Sequence, residues 1–148
     1  MGIPYDRFAE FFLDKISEYD FLQLPEDNRE KIVDRYMKRA LSNFKSCSYD
    51  FVSNADDSNR VFNIDISDSE LNDILNIVSE GMVAEWLKPY IYKQELLENN
   101  LNTKDFTTYS SEGLLNRVRS VYDKVQKEYK QMRYDYSYQA GKLGDLSL

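Results

Sequence analysis

The chain of 148 residues contains no histidine, one cysteine, three prolines and five glycines. Without histidine, it lacks the side chain that most often transfers protons in catalysis. The single thiol, Cys47, cannot form an internal disulfide, and no histidine can activate it as a nucleophile. So few prolines and glycines also argue against an all-β sandwich, which needs many turns. We therefore expect a protein that is not an enzyme and that uses no cofactor.

Long apolar runs are also missing. No stretch approaches the roughly 20 residues that a membrane-spanning helix needs, so we expect no membrane partner. The first residues, which include Asp6 and Glu10, do not resemble a signal peptide. Carboxylates are plentiful around Asp56-Asp57, but they do not follow the spacing of a calcium-binding loop. The sequence predicts a cytosolic protein with a solvated acidic loop and no metal site.

Charge is distributed unevenly along the chain. The net charge is −7, but residues 1–114 contain 22 acidic and 12 basic side chains, a balance of −10. Residues 115–148 contain seven basic and four acidic side chains, a balance of +3. An acidic body repels phosphate, which argues against groove binding to nucleic acid. The change of sign suits a head-to-tail contact between identical subunits, although helix surfaces often carry mixed charge without such a role.

Apolar residues recur at three- and four-residue steps over most of the chain, which predicts helices. A first helix is expected at 4–19 and a second at 26–44. Ser67 and Glu70 form a capping box that opens a third helix. That helix is expected to end near Leu87, because Pro89 should kink it or restart it at a new angle. A fourth helix should begin at Ser110 or Ser111 and run to Tyr138.

Residues 46–66 differ from the rest, because Ser, Asn and Asp dominate them. Alternating apolar and polar residues at 49–52 and 61–66 are typical of strands or of an extended arm. Two alternatives follow: a short hairpin, or a mobile loop that pairs with a neighbouring subunit, since a lone hairpin is marginally stable in water. The fold expected overall is all-α, with four to five helices, two of them long, one extended loop or small hairpin, and a flexible C-terminal tail.

The aromatic residues fall into two groups. Trp86 lies on the apolar stripe of the third helix, which favours a place in the core over a ligand-binding role. Tyr129, Tyr134, Tyr136 and Tyr138 crowd the end of the fourth helix and cannot all enter one core. Tyrosine is enriched in protein interfaces, so this cluster predicts a partner-binding surface. Stacking of single-stranded nucleic acid on these rings is the weaker alternative, because aspartates lie beside them.

Three segments together carry a family resemblance: residues 80–89 (EGMVAEWLKP), residues 108–111 (TYSS) at the start of a long helix, and residues 133–138 (RYDYSY). This arrangement resembles the head–tail connector proteins, also called adaptor or neck proteins, of long-tailed bacteriophages. The resemblance covers residues 68–146, a little over half of the chain, and its motifs are short.

The resemblance implies a helical adaptor domain at 1–138 and a docking tail at 139–148. Such a protein forms a ring, expected to have twelve copies, beneath the portal of the virion neck, after assembly in the host cytoplasm. The ring joins the DNA-filled head to the tail, contacts the next neck or tail-completion protein, and lets DNA pass without sequence-specific binding. Portal binding is expected at Tyr134, Tyr136, Tyr138, Lys142, Leu143 and Leu146. Contacts between subunits are expected at Tyr49, Phe51, Val61, Phe62 and Ile64.

The residues also permit a different function. A helical regulatory or chaperone-like module would bind another protein through the exposed face of the fourth helix and would need no ring. The two hypotheses differ in whether the chain assembles on a portal, which electron microscopy of native particles would show.

Overall fold

The computed structural model describes residues 2–19, 22, 24, 26–92 and 111–145, the side chains of residue 111 and residues 140–145 excepted. Within these residues the elements follow in the order β1 (Ile3–Pro4), α1 (Tyr5–Ile16), α2 (Arg29–Asn43), β2 (Ala55–Asp56), β3 (Val61–Phe62), α3 (Asp68–Tyr92) and α4 (Ser111–Asp145). The prediction of a predominantly helical chain is confirmed. The three short strands form a small sheet in addition.

Helix α3 lies at the centre of the fold and packs against α1, α2 and α4. Every side chain from Ile77 to Leu87 is buried, as expected for a helix with neighbours on all sides. Trp86 is 1% exposed, and its ring packs against Phe12 and Tyr19, with centroids 6.3 Å and 6.5 Å away. The prediction that Trp86 belongs to the core is confirmed.

The first two helices lie within the ranges that their apolar stripes predict, and both are shorter at each end. Helix α1 buries Tyr5, Phe8 and Phe12, which recur at three- and four-residue steps. Helix α2 buries five residues of its stripe: Val33, Tyr36, Met37, Ala40 and Leu41. Both helices pack mainly on α3, as helices with one apolar face are expected to do.

The expected end of the third helix near Leu87 is wrong, because α3 continues through Pro89 to Tyr92. A proline inside a helix removes the hydrogen bond to the carbonyl four residues earlier, here that of Glu85. The helix continues because its residues up to Leu87 are closely packed in the core, and because the proline removes only one backbone hydrogen bond near the helix end. The continuation predicted for residues 93–97 lies outside the described residues.

The expected flexible tail is also wrong for residues 139–145, because α4 continues past Tyr138 to Asp145. Gly141 and Gly144 each disfavour helix by about 1 kcal/mol relative to alanine. Helix propagation is nevertheless much easier than nucleation, and a 28-residue helix, Ser111 to Tyr138, already precedes this segment. Gln139, Lys142 and Leu143 are good helix formers, which favours continuation.

Of the two alternatives for residues 46–66, the structure contains the short hairpin; β3 lies within the predicted segment 61–66, whereas β2 lies after the predicted segment 49–52. β2 and β3 pair antiparallel, with Ala55 opposite Phe62, and β1 pairs with the other edge of β3. Residues 49–52 form no strand, and residues 51–54 form a turn in which Asp50 accepts a hydrogen bond from the Ser53 amide. The N-terminal strand β1 gives the hairpin the third strand that it needs for stability.

Candidate interaction surface

The end of α4 is attached to the body through Tyr129. This ring is 3% exposed, and its hydroxyl donates a hydrogen bond of 2.6 Å to the carbonyl of Ala40 on α2. Burial raises the pKa of Tyr129 to about 12. On the other side, the ring lies against Gly81 of α3, where a Cβ atom would come within 2.6 Å of the ring. Helices α2, α3 and α4 therefore meet at one tyrosine, which attaches the C-terminal half of α4 to the body.

Arg133 lies one helical turn beyond Tyr129 and is fixed by uncharged groups. Its guanidinium lies 4.2 Å from the centroid of the Tyr129 ring and donates to the carbonyl of Asn43 at 3.0 Å. A second bond, of 3.4 Å, goes to the carbonyl of Tyr129. These partners hold the side chain in place without neutralising its charge, so Arg133 keeps a cation at the junction of α2 and α4.

A surface cavity of about 350 Å³ opens beside Arg133, between the C-terminal end of α2 and α4. We call it the basic groove; it is lined by Asn43, Lys45, Ser46, Lys130, Arg133, Tyr134 and Ser137. Three of these seven side chains are cationic and none is a carboxylate. On a chain with a net charge of −7, such a groove is a local reversal of charge that favours an acidic ligand.

The remaining tyrosines of the cluster divide between the body and the solvent. Tyr136 packs edge-on against Phe44 with centroids 5.0 Å apart, and its hydroxyl accepts a hydrogen bond from the Ser48 amide. Burial raises the pKa of Tyr136 as well. Tyr134 and Tyr138 are 66% and 69% exposed, and their spacing of four residues places them on one face of α4. The structure thus assigns Tyr136 to the body and presents the other two as an exposed aromatic face.

The other residues predicted to bind the portal lie at the very end of the chain. Lys142 and Leu143 belong to the last part of α4, where only the backbone is described. Leu146 lies outside the described residues. Nine helical residues follow Tyr136, which corresponds to about 13 Å of helix.

The residues predicted to contact a neighbouring subunit do not form one exposed surface. Phe51 and Phe62 are 2% and 1% exposed and pack edge-on against Phe8 of α1. Their assignment to a subunit contact is corrected here, since these rings belong to the core of the chain itself. Alternation of apolar and polar residues predicts a buried face but does not show which chain covers it.

The other three residues of that set are half-buried. Tyr49 donates a hydrogen bond of 2.9 Å to Glu70, so Glu70 binds this hydroxyl rather than acting only as a helix cap. Val61 lies in β3, and the Ile64 amide donates to the Phe62 carbonyl. Val52 is 64% exposed, and the sequence-based prediction did not include it among the contact residues although it lies in the same alternating segment as Tyr49 and Phe51.

Arg60 connects the hairpin to helices α1 and α2, and the sequence-based prediction did not single it out. It donates two hydrogen bonds of 2.8 and 2.9 Å to the carboxylate of Asp34 on α2, and one of 2.8 Å to Asp6 on α1. Its carbonyl accepts a bond from the Tyr5 amide. Its backbone is left-handed, with φ of 53°, a conformation that is uncommon for arginine. These carboxylates hold the pKa of Arg60 above its ordinary value.

Chemistry other than binding finds little support among the described residues. Burial raises the pKa of Cys47, which favours the thiol over the nucleophilic thiolate. In the part of the chain that the structure describes, no group of three or more histidine, cysteine or carboxylate residues could hold a metal ion. Among the same residues, no helix is both long and apolar enough to cross a membrane. What the arrangement can do chemically is bind, through the basic groove and the exposed aromatic face.

Comparisons of this chain with protein-family models, with curated proteins and with solved structures give no significant match. The functional argument therefore rests on the surface just described and on the resemblance of the three short segments.

Proposed function

We propose that this chain is a structural protein of a bacteriophage neck, without enzymatic turnover, that forms a ring beneath the portal and joins the DNA-filled head to the tail. The exposed aromatic face of α4 carries this proposal. Tyr134 and Tyr138 lie on a helix that is anchored to the body at Tyr129 and continues to Asp145. Large amphipathic rings on a fixed support are typical of residues that dominate binding energy in protein interfaces.

The position of this face supports a docking role for the end of the chain. Tyr136 is bonded to Ser48 and packs on Phe44, whereas Tyr138 and Gln139, which follow it on α4, are exposed. A rigid helix loses less conformational entropy on binding than a flexible tail, which favours affinity. We therefore propose that the portal-docking element is residues 134–148, presented at least to Asp145 as a preformed helix.

The same proposal includes the partners and location that the resemblance implies. Copies of this chain, twelve in our proposal, surround the DNA path in the virion neck after assembly in the host cytoplasm. The next neck or tail-completion protein binds the opposite side of the ring. We further propose that the fold is best classed as all-α, because the four helices supply most of the core while each strand of the sheet contains two residues.

The test is binding to the portal protein encoded in the same genome. We expect Tyr134→Ala combined with Tyr138→Ala to weaken binding at least tenfold, because removal of two exposed interface tyrosines costs about 1.4 kcal/mol or more. The matched control is Tyr92→Ala, because Tyr92 is 75% exposed but lies on α3. Deletion of residues 139–148 should abolish docking while the helical circular dichroism of the body remains.

Negative-stain electron microscopy of the wild-type chain with portal gives the decisive image. Rings on the portal support the proposal, whereas normal portal binding by the truncated chain would show that the docking element lies elsewhere. If the wild-type chain bound no portal but captured a cytosolic host protein through α4, the regulatory or chaperone-like hypothesis would replace the neck assignment.

A further inference from the structure

The basic groove contains three cations, and none of them is paired with a carboxylate among the described residues. Within the described residues, Lys45, Lys130 and Arg133 have no carboxylate within 4 Å, whereas Lys38, Arg39 and Lys88 on the neighbouring surface are paired with Asp57 or Glu85. Arg133 is additionally fixed by its contacts with Tyr129 and Asn43. Three cations gathered in one cavity repel each other, so the groove is a site that an acidic partner would stabilise.

Helix α1 carries the complementary feature on its solvent side. Glu10 and Asp14 are exposed on α1, four residues apart, and Glu18 is exposed in the turn that follows the helix; we call these three residues the acidic stripe. None of them forms an ion pair with another described residue. Like charges four residues apart destabilise a helix by about 0.2–0.5 kcal/mol per pair, so Glu10 and Asp14 destabilise α1 in the isolated chain. Leu13, 41% exposed, lies beside it.

We propose that the acidic stripe of one copy binds the basic groove of the next copy, and that this contact joins neighbouring subunits. The inference rests on the proposed ring and identifies its interface. Because the two surfaces are different parts of the same chain, the contact is head-to-tail, which is the kind of contact that a closed ring of identical subunits requires. A contact between two identical surfaces would instead stop at a dimer.

The two surfaces match in charge. The acidic stripe offers three carboxylates and the basic groove offers three cations, so three charge pairs can form between neighbouring copies. The exposed side chain of Leu13 lies beside the stripe and adds an apolar group to this surface. A second copy of this chain therefore supplies the acidic partner that the groove favours.

Sedimentation velocity of the purified chain at several hundred micromolar tests the inference. We expect the wild-type chain to sediment faster with increasing concentration in 50 mM salt and to lose this behaviour in 500 mM salt, because exposed charge pairs are screened. Glu10→Lys with Asp14→Lys, and separately Lys45→Glu with Lys130→Glu, should each weaken self-association about tenfold or more. All four residues are exposed, and far-ultraviolet circular dichroism verifies that each variant is folded.

Matched controls change the same charges elsewhere. Asp73→Lys with Asp123→Lys, and Lys124→Glu with Lys127→Glu, alter exposed residues outside both surfaces and should leave self-association unchanged. An equimolar mixture of the two interface variants restores association, because each then offers the other a complementary surface. Absence of association in the wild-type chain, or equal effects of controls and interface variants, would overturn the inference. Portal rings that still form with the interface variants would refute this interface but leave the proposed function intact.

Discussion

Tyr129 shows how a single residue sets the geometry of the binding surface. Its hydroxyl reaches Ala40 on α2, its ring lies against Gly81 on α3, and the Arg133 guanidinium lies over the ring face. A buried hydroxyl without a partner costs about 1–3 kcal/mol, so the bond to Ala40 favours this depth of the ring. Tyr129 thereby attaches the C-terminal half of α4, which carries Tyr134 and Tyr138, to both α2 and α3.

Gly81→Ala tests this contact directly. The added Cβ would lie 2.6 Å from Cζ and 2.8 Å from Cε1 of Tyr129, and 3.0 Å from Cβ of Ala40. Overpacking of this kind costs about 1–3 kcal/mol, against a gain of about 1 kcal/mol from replacing glycine by alanine in a helix. We expect a net loss of up to about 2 kcal/mol in the free energy of unfolding, measured by urea denaturation.

The same substitution in a Tyr129→Leu background provides the control. Removal of the ring removes the two nearest atoms that the new methyl group would meet and leaves only Cβ of Ala40 at 3.0 Å, so Gly81→Ala should then cost less than in the wild-type background. Equal destabilisation in both backgrounds would show that the close approach at Gly81 is unimportant for stability.

At the scale of elements, the hairpin depends on one arginine rather than on its strands. Each strand has two residues, and the ladder alone contributes few hydrogen bonds. Arg60 connects the hairpin to α1 and α2 through Asp6 and Asp34, while Phe51 and Phe62 insert beneath it. The hairpin is therefore held by side chains at both its polar and its apolar face.

Arg60→Ala should loosen the hairpin while the helices stay folded. Loss of the paired bonds to Asp34 removes about 2 kcal/mol, since hydrogen bonds between charged groups are among the stronger ones. We expect faster cleavage within residues 53–59 in limited proteolysis. Lys38→Ala is the control, because its ion pair with Asp57 is largely exposed and contributes at most about 1 kcal/mol. If the two variants were cleaved at the same rate, Arg60 would not be the residue that fastens the hairpin.

The sequence correctly predicted the helices that have a single apolar face packed against the core. Helices α1 and α2 lie within their predicted ranges because each has one apolar face that must be buried. That face includes Tyr5, Phe8 and Phe12 on α1, and Val33 and Met37 on α2. It did not predict where β2 lies, since Ala55–Asp56 has no strand-like composition and pairs only because β3 and β1 lie beside it. Strands of two residues are determined by tertiary contacts, which local patterns do not contain.

Only part of the binding surface could be predicted, because tertiary contacts decide which of its residues are exposed. The crowding of tyrosines indicated that some rings must be exposed, and the structure exposes Tyr134 and Tyr138. Periodicity could not separate them from Tyr136, whose contact with Phe44 joins residues 92 positions apart in sequence. The basic groove was not predicted at all, because Lys45 and Lys130 come together only when α2 and α4 pack on α3.

At the scale of the whole molecule, buried tyrosines are spread over three helices. Burial raises the pKa of Tyr36 on α2 and Tyr129 on α4 to about 12, and it raises the pKa of Tyr5 on α1 as well. In the unfolded chain a tyrosine titrates near pH 10. The folded state therefore binds these protons more tightly than the unfolded state, and stability must fall as the pH rises through the interval between the two values.

We expect the free energy of unfolding to be unaffected by these groups below about pH 10 and to fall between about pH 10 and 12, by on the order of 2 kcal/mol for each of Tyr36 and Tyr129. Urea denaturation at pH 8, 10 and 11.5, followed by the fluorescence of the single tryptophan, Trp86, measures this decrease. Tyr129→Phe should make the decrease smaller, because the variant has one buried phenol fewer to ionise. Tyr134→Phe, at an exposed position, should leave it unchanged. A profile that stays flat to pH 11.5 would mean that these rings reach solvent, and α4 would then lack the buried anchor that places its aromatic face.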